Sequence, residues 1–184
     1  MKYLIASDIH GSKRATQMVL DHFKAEGADM LILLGDLLYH GPRNDLPQEY
    51  DPRAVAALLN GMKDRIIAVR GNCEAEVDQM VLQFPVMADY AVLELDGHVI
   101  YATHGHVYNV SHLPPLCRGD ILLQGHTHIP ACVEQDGILC LNPGSVSLPK
   151  EGSARSYMTF DGEVFCWKTL DGCTYRSFPL ADRA

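Results

Sequence analysis

The residues able to do chemistry in this chain fall in five short polar clusters, each directly behind an apolar run. Asp8-x-His10 follows YLIAS, Gly35-Asp36 follows MLILL, and Gly71-Asn72 follows RIIAVR. His104-Gly105-His106 follows VIYAT, and Gly125-His126-Thr127-His128 follows DILLQ. Together they hold two carboxylates, an amide oxygen and at least four imidazoles, which is the inventory of a two-metal hydrolytic site. Each cluster alone is weak: Asp8 could cap a helix, and Asn72 after a glycine could be a turn residue. Asp36 is harder to dismiss, because a carboxylate behind five apolar residues is desolvated and needs a partner or a cation. His104, His126 and His128 at strand ends, two of them spaced i, i+2, fit a borderline metal such as Zn, Mn or Fe.

Such clusters meet only if their apolar runs are neighbouring strands, since ligands in open α/β sheets bind beyond the carboxyl ends of the strands. The first half reads as β-α-β-α-β. Strands are expected at 2–6, 30–34 and 65–69, and a helix over 13–26 that starts at Ser12 and stops at Gly27. A second helix starts at Pro52, with Val55, Leu58, Leu59 and Met62 on its apolar stripe. Val77, Met80, Val81 and Phe84 mark a third. After Tyr90 strand-like runs recur at 90–95, 98–103, 120–124, 131–135, 138–142, 156–161, 163–169 and 174–179. The pairs Asp96-Gly97, Asp136-Gly137 and Asp161-Gly162 are hairpin signals, so this half is expected to be mainly antiparallel. The stretch 143–155 reads as a loop. The fold class is α/β, two packed sheets with helices outside.

In their order the clusters resemble the calcineurin-like metallophosphoesterase superfamily, whose pattern is D-x-H, G-D, G-N-H-[DE], H and G-H-x-H. The strings DIHGS, LGDLLYHGPRN, VRGNCEAEVDQ, THGH, GHTH and NPGSVSLPK carry the likeness from Met1 to about Pro149. The resemblance implies a four-layer α-β-β-α sandwich of two mixed sheets. It implies one metal held by Asp8, His10, Asp36 and His128, and a second by Asp36, Asn72, His104 and His126, with Asp36 bridging. It implies Mn²⁺ as the ion, although the donor set also admits Fe, Zn, Co or Ni. The activity implied is phosphodiester hydrolysis by a metal-bridging hydroxide. The chain departs from the pattern at Cys73, where the family has a His that protonates the leaving group or stabilises the transition state. A thiol is a poorer donor and carries no positive charge. His40, His106 and Arg43 stand in nearby loops as substitutes, and Cys73 as a nucleophile lacks an assignable base. The catalytic set is read as Asp36, Asn72, Cys73 and His106.

At 184 residues the chain is read as one domain, 1–184. Its net charge of −8 argues against a stable nucleic-acid partner, which needs clustered Lys and Arg. No apolar run is long enough to cross a bilayer. The apolar run before Asp8 is too short for a signal segment, so the chain is read as cytoplasmic; its six cysteines form no C-x-x-C pair and are read as reduced and buried except for Cys73. The expected partner is a small phosphodiester; a homo-oligomer is left open. Two rival functions remain: a phosphomonoesterase or nucleotidase of the same fold, and a non-catalytic protein-interaction scaffold.

Overall fold

The computed structural model describes residues 1–95 and 97–182. Six strands form the first sheet, in the order β11-β10-β9-β1-β2-β3. In its parallel part lie β1 (Tyr3–Ala6), β2 (Met30–Leu33) and β3 (Ile66–Ala68). Its antiparallel part holds β9 (Ser156–Phe160), β10 (Val164–Thr169) and β11 (Thr174–Pro179). The second sheet runs β4-β5-β6-β8-β7. Its strands are β4 (Tyr90–Leu95), β5 (His98–Thr103), β6 (Ile121–Leu123), β7 (Ala131–Gln135) and β8 (Ile138–Asn142). The second half is thus mainly antiparallel as expected, with two exceptions: β5·β6 and β6·β8 are parallel. Gly97 lies at the β4–β5 turn, whereas Asp96 of that hairpin signal lies outside the described residues.

Period-two alternation on β1 shows how the layers form. Leu4 and Ala6 face the helices α1 (Lys13–Ala25) and α2 (Pro52–Asn60), packing with Val19, Phe23, Val55 and Leu59. Tyr3 and Ile5 face the other sheet, packing in the cluster that holds Ile100, Ile121, Leu139, Met158 and Trp167. The outer face of the second sheet, with Tyr101, Leu122 and Cys140, is covered by Tyr108, Val110, Leu113 and Leu116 from the chain between β5 and β6. Ser12 caps α1 by accepting from the Ala15 N–H, and Gly27, at φ +61°, turns the chain out behind it.

Two expectations need correction. Helix α3 spans only Glu76–Val81, and Val77, Met80 and Val81 are exposed at 59%, 83% and 48%. A helix of fewer than two turns lies along the surface here. The core is filled instead by Leu82, Phe84 and Val86 in the extended chain behind it. The cysteines are all free thiols, but Cys117 and Cys173 are exposed, because both lie in the connections rather than in strands. No helix among the described residues is long and apolar enough to cross a membrane.

Candidate metal centre

Every cluster singled out in the sequence sits just beyond the carboxyl end of a parallel-paired strand: β1, β2 and β3 in one sheet, β5 and β6 in the other. The two sheets therefore deliver their loops to one edge. Backbone bonds knit these loops together. The Asp8 and His10 amides donate to Gly35 and Asp36 carbonyls at 3.2 and 2.8 Å, and the Gly125 amide donates to the His104 carbonyl at 2.7 Å. Asp8, His10, Asp36, His126 and His128 all have φ between 50° and 66°, a left-handed conformation uncommon outside glycine. Such strain persists only where the surroundings over-determine it, and it gathers at functional sites.

The imidazoles are aimed by their outer nitrogens. Nδ1–H donates to a carbonyl in three of them: His10 to Tyr39 at 2.9 Å, His104 to Leu34 at 2.7 Å, and His128 to Leu148 at 2.5 Å. A carbonyl can only accept, so in the neutral ring the proton is on Nδ1 and the Nε2 lone pair points inward. The lone pairs then converge. His10 Nε2 and His128 Nε2 lie 3.2 Å apart, and both face Asp8 Oδ1, at 3.7 and 3.3 Å. Asp8 Oδ1 itself is buried with no hydrogen-bond partner. His104 Nε2 faces Asn72 Oδ1 at 3.1 Å and His126 Nδ1 at 3.2 Å. Asp36 Oδ2 lies between the two groups, 3.6 Å from His10 Nε2 and 3.5 Å from His104 Nε2. Acceptors facing acceptors in a buried place need a cation between them, and this donor set of N and O atoms suits a divalent one.

The electrostatics agree. Burial works against ionising Asp8, but His10, His128 and His104 outweigh it and hold its carboxyl far below the usual range. Burial likewise opposes charge on His104, yet Asp36 and Asp8 raise its pKa to about 9. His126 moves the other way, to about 4, through burial and the charge of His104. The Asp8 and Asp36 carboxylates draw positive charge onto His104, and that charge together with burial disfavours a second one on His126.

Of the groups considered for proton transfer, His106 lies beside the second cluster, its ring 5.4 Å from that of His104 and 6.2 Å from that of His126. Its Nδ1 is buried without a partner. His40 packs edge-on between Tyr39 and Tyr50, and Arg43 is exposed. The Cys73 N–H donates to Asp36 Oδ1 at 2.9 Å, and its thiol accepts from Asn72 Nδ2 at 3.3 Å. Burial and the carboxylates of Asp36 and Glu74 push that thiol above its usual pKa.

Sequence reasoning missed the residues that hold the ligands. Buried Glu74 accepts the backbone N–H of Gly71 at 2.5 Å and of Asp36 at 2.8 Å on one oxygen, and that of Leu37 at 2.6 Å on the other. Burial and the Asp36 charge push its pKa up, while the three amides oppose them. Ser145 Oγ and Ser147 Oγ each donate to the Asp8 carbonyl at 2.8 Å, and Asn142 Nδ2 to that of Gly125 at 2.8 Å. The stretch read only as a loop is thus a buckle behind Asp8 and His128. The one signal for Glu74 was the acid position of the G-N-H-[DE] pattern. Gly71 belongs to the same clamp, since a Cβ there would collide with Asp36 and Glu74.

This fold and this site define a class. The model of the calcineurin-like phosphoesterase superfamily domain matches residues 1–163, and the chain belongs to that family. Among its relatives is phosphodiesterase YfcE of Escherichia coli K12, 48% identical over 164 residues that cover 89% of each protein. The solved structure of the E. coli phosphoesterase YfcE superposes with a TM-score of 0.95 at 44% identity, covering 98% of this chain and 100% of that one. The probable metallophosphoesterase YsnB of Bacillus subtilis is 28% identical, over 85% of this chain and 82% of its own.

Proposed function

We propose that this chain is a metal-dependent phosphodiesterase acting on a small diester. The observation that carries the reading is the inward convergence of His10, His104 and His128 Nε2 atoms on Asp8, Asp36 and Asn72 oxygens. Asp8, His10, Asp36 and His128 would hold one divalent ion; Asp36, Asn72, His104 and His126 the second. Bound there, the ions supply Lewis acidity to the phosphoryl oxygens and lower the pKa of water. The protein's own part is positional. Asp36 presents one oxygen to both groups, and backbone carbonyls fix the ring tautomers. Asn72 is exposed and would meet an arriving phosphoryl oxygen. His106, whose half-buried ring stands beside those of His104 and His126, would be the side chain that exchanges a proton with a departing group. The ion we favour is Mn²⁺, and the compartment is the cytoplasm, consistent with six free thiols. A net charge of −8 fits a small substrate better than a nucleic-acid strand.

The test is hydrolysis of bis(4-nitrophenyl) phosphate with and without added Mn²⁺, beside 4-nitrophenyl phosphate. Metal-dependent turnover that favours the diester is expected. Preference for the monoester would make the enzyme a phosphomonoesterase, and inertness with both ions bound would make it a scaffold.

A further inference from the structure

A groove of about 620 Å³ opens beside the metal centre, between the 38–50 loop, α2 and α3. Tyr39, Tyr50, Ala56, Ala57, Val77 and Val81 line it, so its walls are aliphatic and aromatic. The single charges Arg53 and Asp78 balance at its edge. This is the volume of a small-molecule site, mostly apolar with few polar groups. Val77 and Val81 from the exposed face of α3 form one of its walls, which gives their otherwise costly exposure a purpose.

The groove is continuous with the metal centre through two residues. Cys73 lines the groove, yet its sulfur, a His10 nitrogen and an Asp36 oxygen lie within 4.8 Å of one another. Tyr39 lines it too, while its carbonyl fixes the His10 ring at 2.9 Å. The tyrosine walls are braced, with His40 edge-on to Tyr39 at 4.8 Å and to Tyr50 at 5.3 Å between ring centres. Gly41 lets the loop close on this corner, because a Cβ at its φ of +81° would stand 3.2 Å from the Cys73 sulfur.

We propose that this groove binds an apolar, ring-bearing ester group of the substrate while the phosphoryl group sits at Asp36. The inference rests on the phosphodiesterase reading and narrows it: flat aryl esters are selected over small alkyl esters. Flat rings can pack on the apolar wall that Tyr39, Tyr50, Val77 and Val81 supply, and the groove offers an alkyl stub as short as methyl almost no surface to cover.

The test is calorimetric binding of methyl phosphate, phenyl phosphate and 2-naphthyl phosphate to the Mn²⁺-reconstituted protein. The aryl esters are expected to bind at least about tenfold tighter than methyl phosphate. Ala57→Trp, which fills the groove, and Val81→Asp, which charges it, should erase that gain and leave methyl phosphate binding as it was. The two positions are exposed and on different helices, so a folding defect in one leaves the other to report. Equal affinity for methyl and aryl phosphates in the unaltered protein overturns the proposal. So does an aryl preference that survives both substitutions, or an oligomer that Val81→Asp dissociates with the preference intact, which would make the groove a subunit contact. Diester turnover measured on the same sample separates the two readings: aryl-selective binding without turnover removes the phosphodiesterase and keeps the groove, and turnover without aryl selectivity does the reverse.

Discussion

Replacing Glu74 with alanine removes the acceptor of three backbone amides in one step. Those of Gly71, Asp36 and Leu37 now reach its carboxylate at 2.5, 2.8 and 2.6 Å, and the side chain is 5% exposed. A buried N–H left without a partner costs about 1–3 kcal/mol, so three of them set a ceiling of ~9 kcal/mol. Water entering the vacated space offsets part of this, and a net loss of about 3–5 kcal/mol is expected. Metal binding should suffer as well. Asp36 sits at φ +56° in the segment that Glu74 clamps, and relaxation there moves the oxygen facing both His10 and His104. The assay has two arms. Urea unfolding in the presence of a chelator reads the clamp without the stabilisation that ion binding adds. Elemental analysis after reconstitution reads the ions held per chain. Glu74→Gln keeps one carbonyl oxygen and should fall between the two proteins. An alanine variant within about 1 kcal/mol of the parent that still fills both ion sites would refute the clamp.

Three further outcomes follow from the same geometry. Asp36→Asn should abolish diester hydrolysis and lower ion affinity at both positions by elemental analysis, and a variant holding two ions with full activity would contradict a shared oxygen. After dialysis against a chelator, iodoacetamide at pH 8 should label exposed Cys117 and Cys173 well before half-buried Cys73, whose thiol is held protonated by burial and by Asp36 and Glu74; peptide mass spectrometry giving Cys73 first would show an activated thiol. Glu26 accepts from Lys2 Nζ at 2.8 Å and from Lys168 Nζ; burial raises its pKa, but the two ammonium groups outweigh it and bring it below 4.5. A lowered folded-state pKa contributes stability that is present above the unfolded value and lost as the pH falls through the folded one. Glu26→Gln should therefore cost about 1–2 kcal/mol at pH 7, with the gap from the parent closing below pH 4.5, as thermal melts across that range will show.

Much of the site was legible because its signals are local. A strand buried on both faces is a short unbroken apolar run, so the runs before Asp8, Asp36, Asn72, His104 and His126 announce themselves. A carboxylate or imidazole stranded behind each run is a chemical anomaly visible in one dimension. What surrounds those ligands left no such mark. Glu74 stands in the acidic stretch CEAEVD, which resembles a solvated helix start, and only its burial shows that it clamps the Asp36 segment. Ser145 and Ser147 look like ordinary loop residues until each is found bonded to the carbonyl of Asp8, across separations of 137 and 139 residues. The apolar residues of α3 pointed inward by periodicity and point outward in space, because Leu82, Phe84 and Val86 take their place in the core. The sequence by itself determined which side chains could bind metal and that strands would carry them to one edge. Only the tertiary structure decided which lone pairs face one another, since that depends on backbone carbonyls and left-handed turns fixed by contacts such as His10 with His128, 118 residues apart.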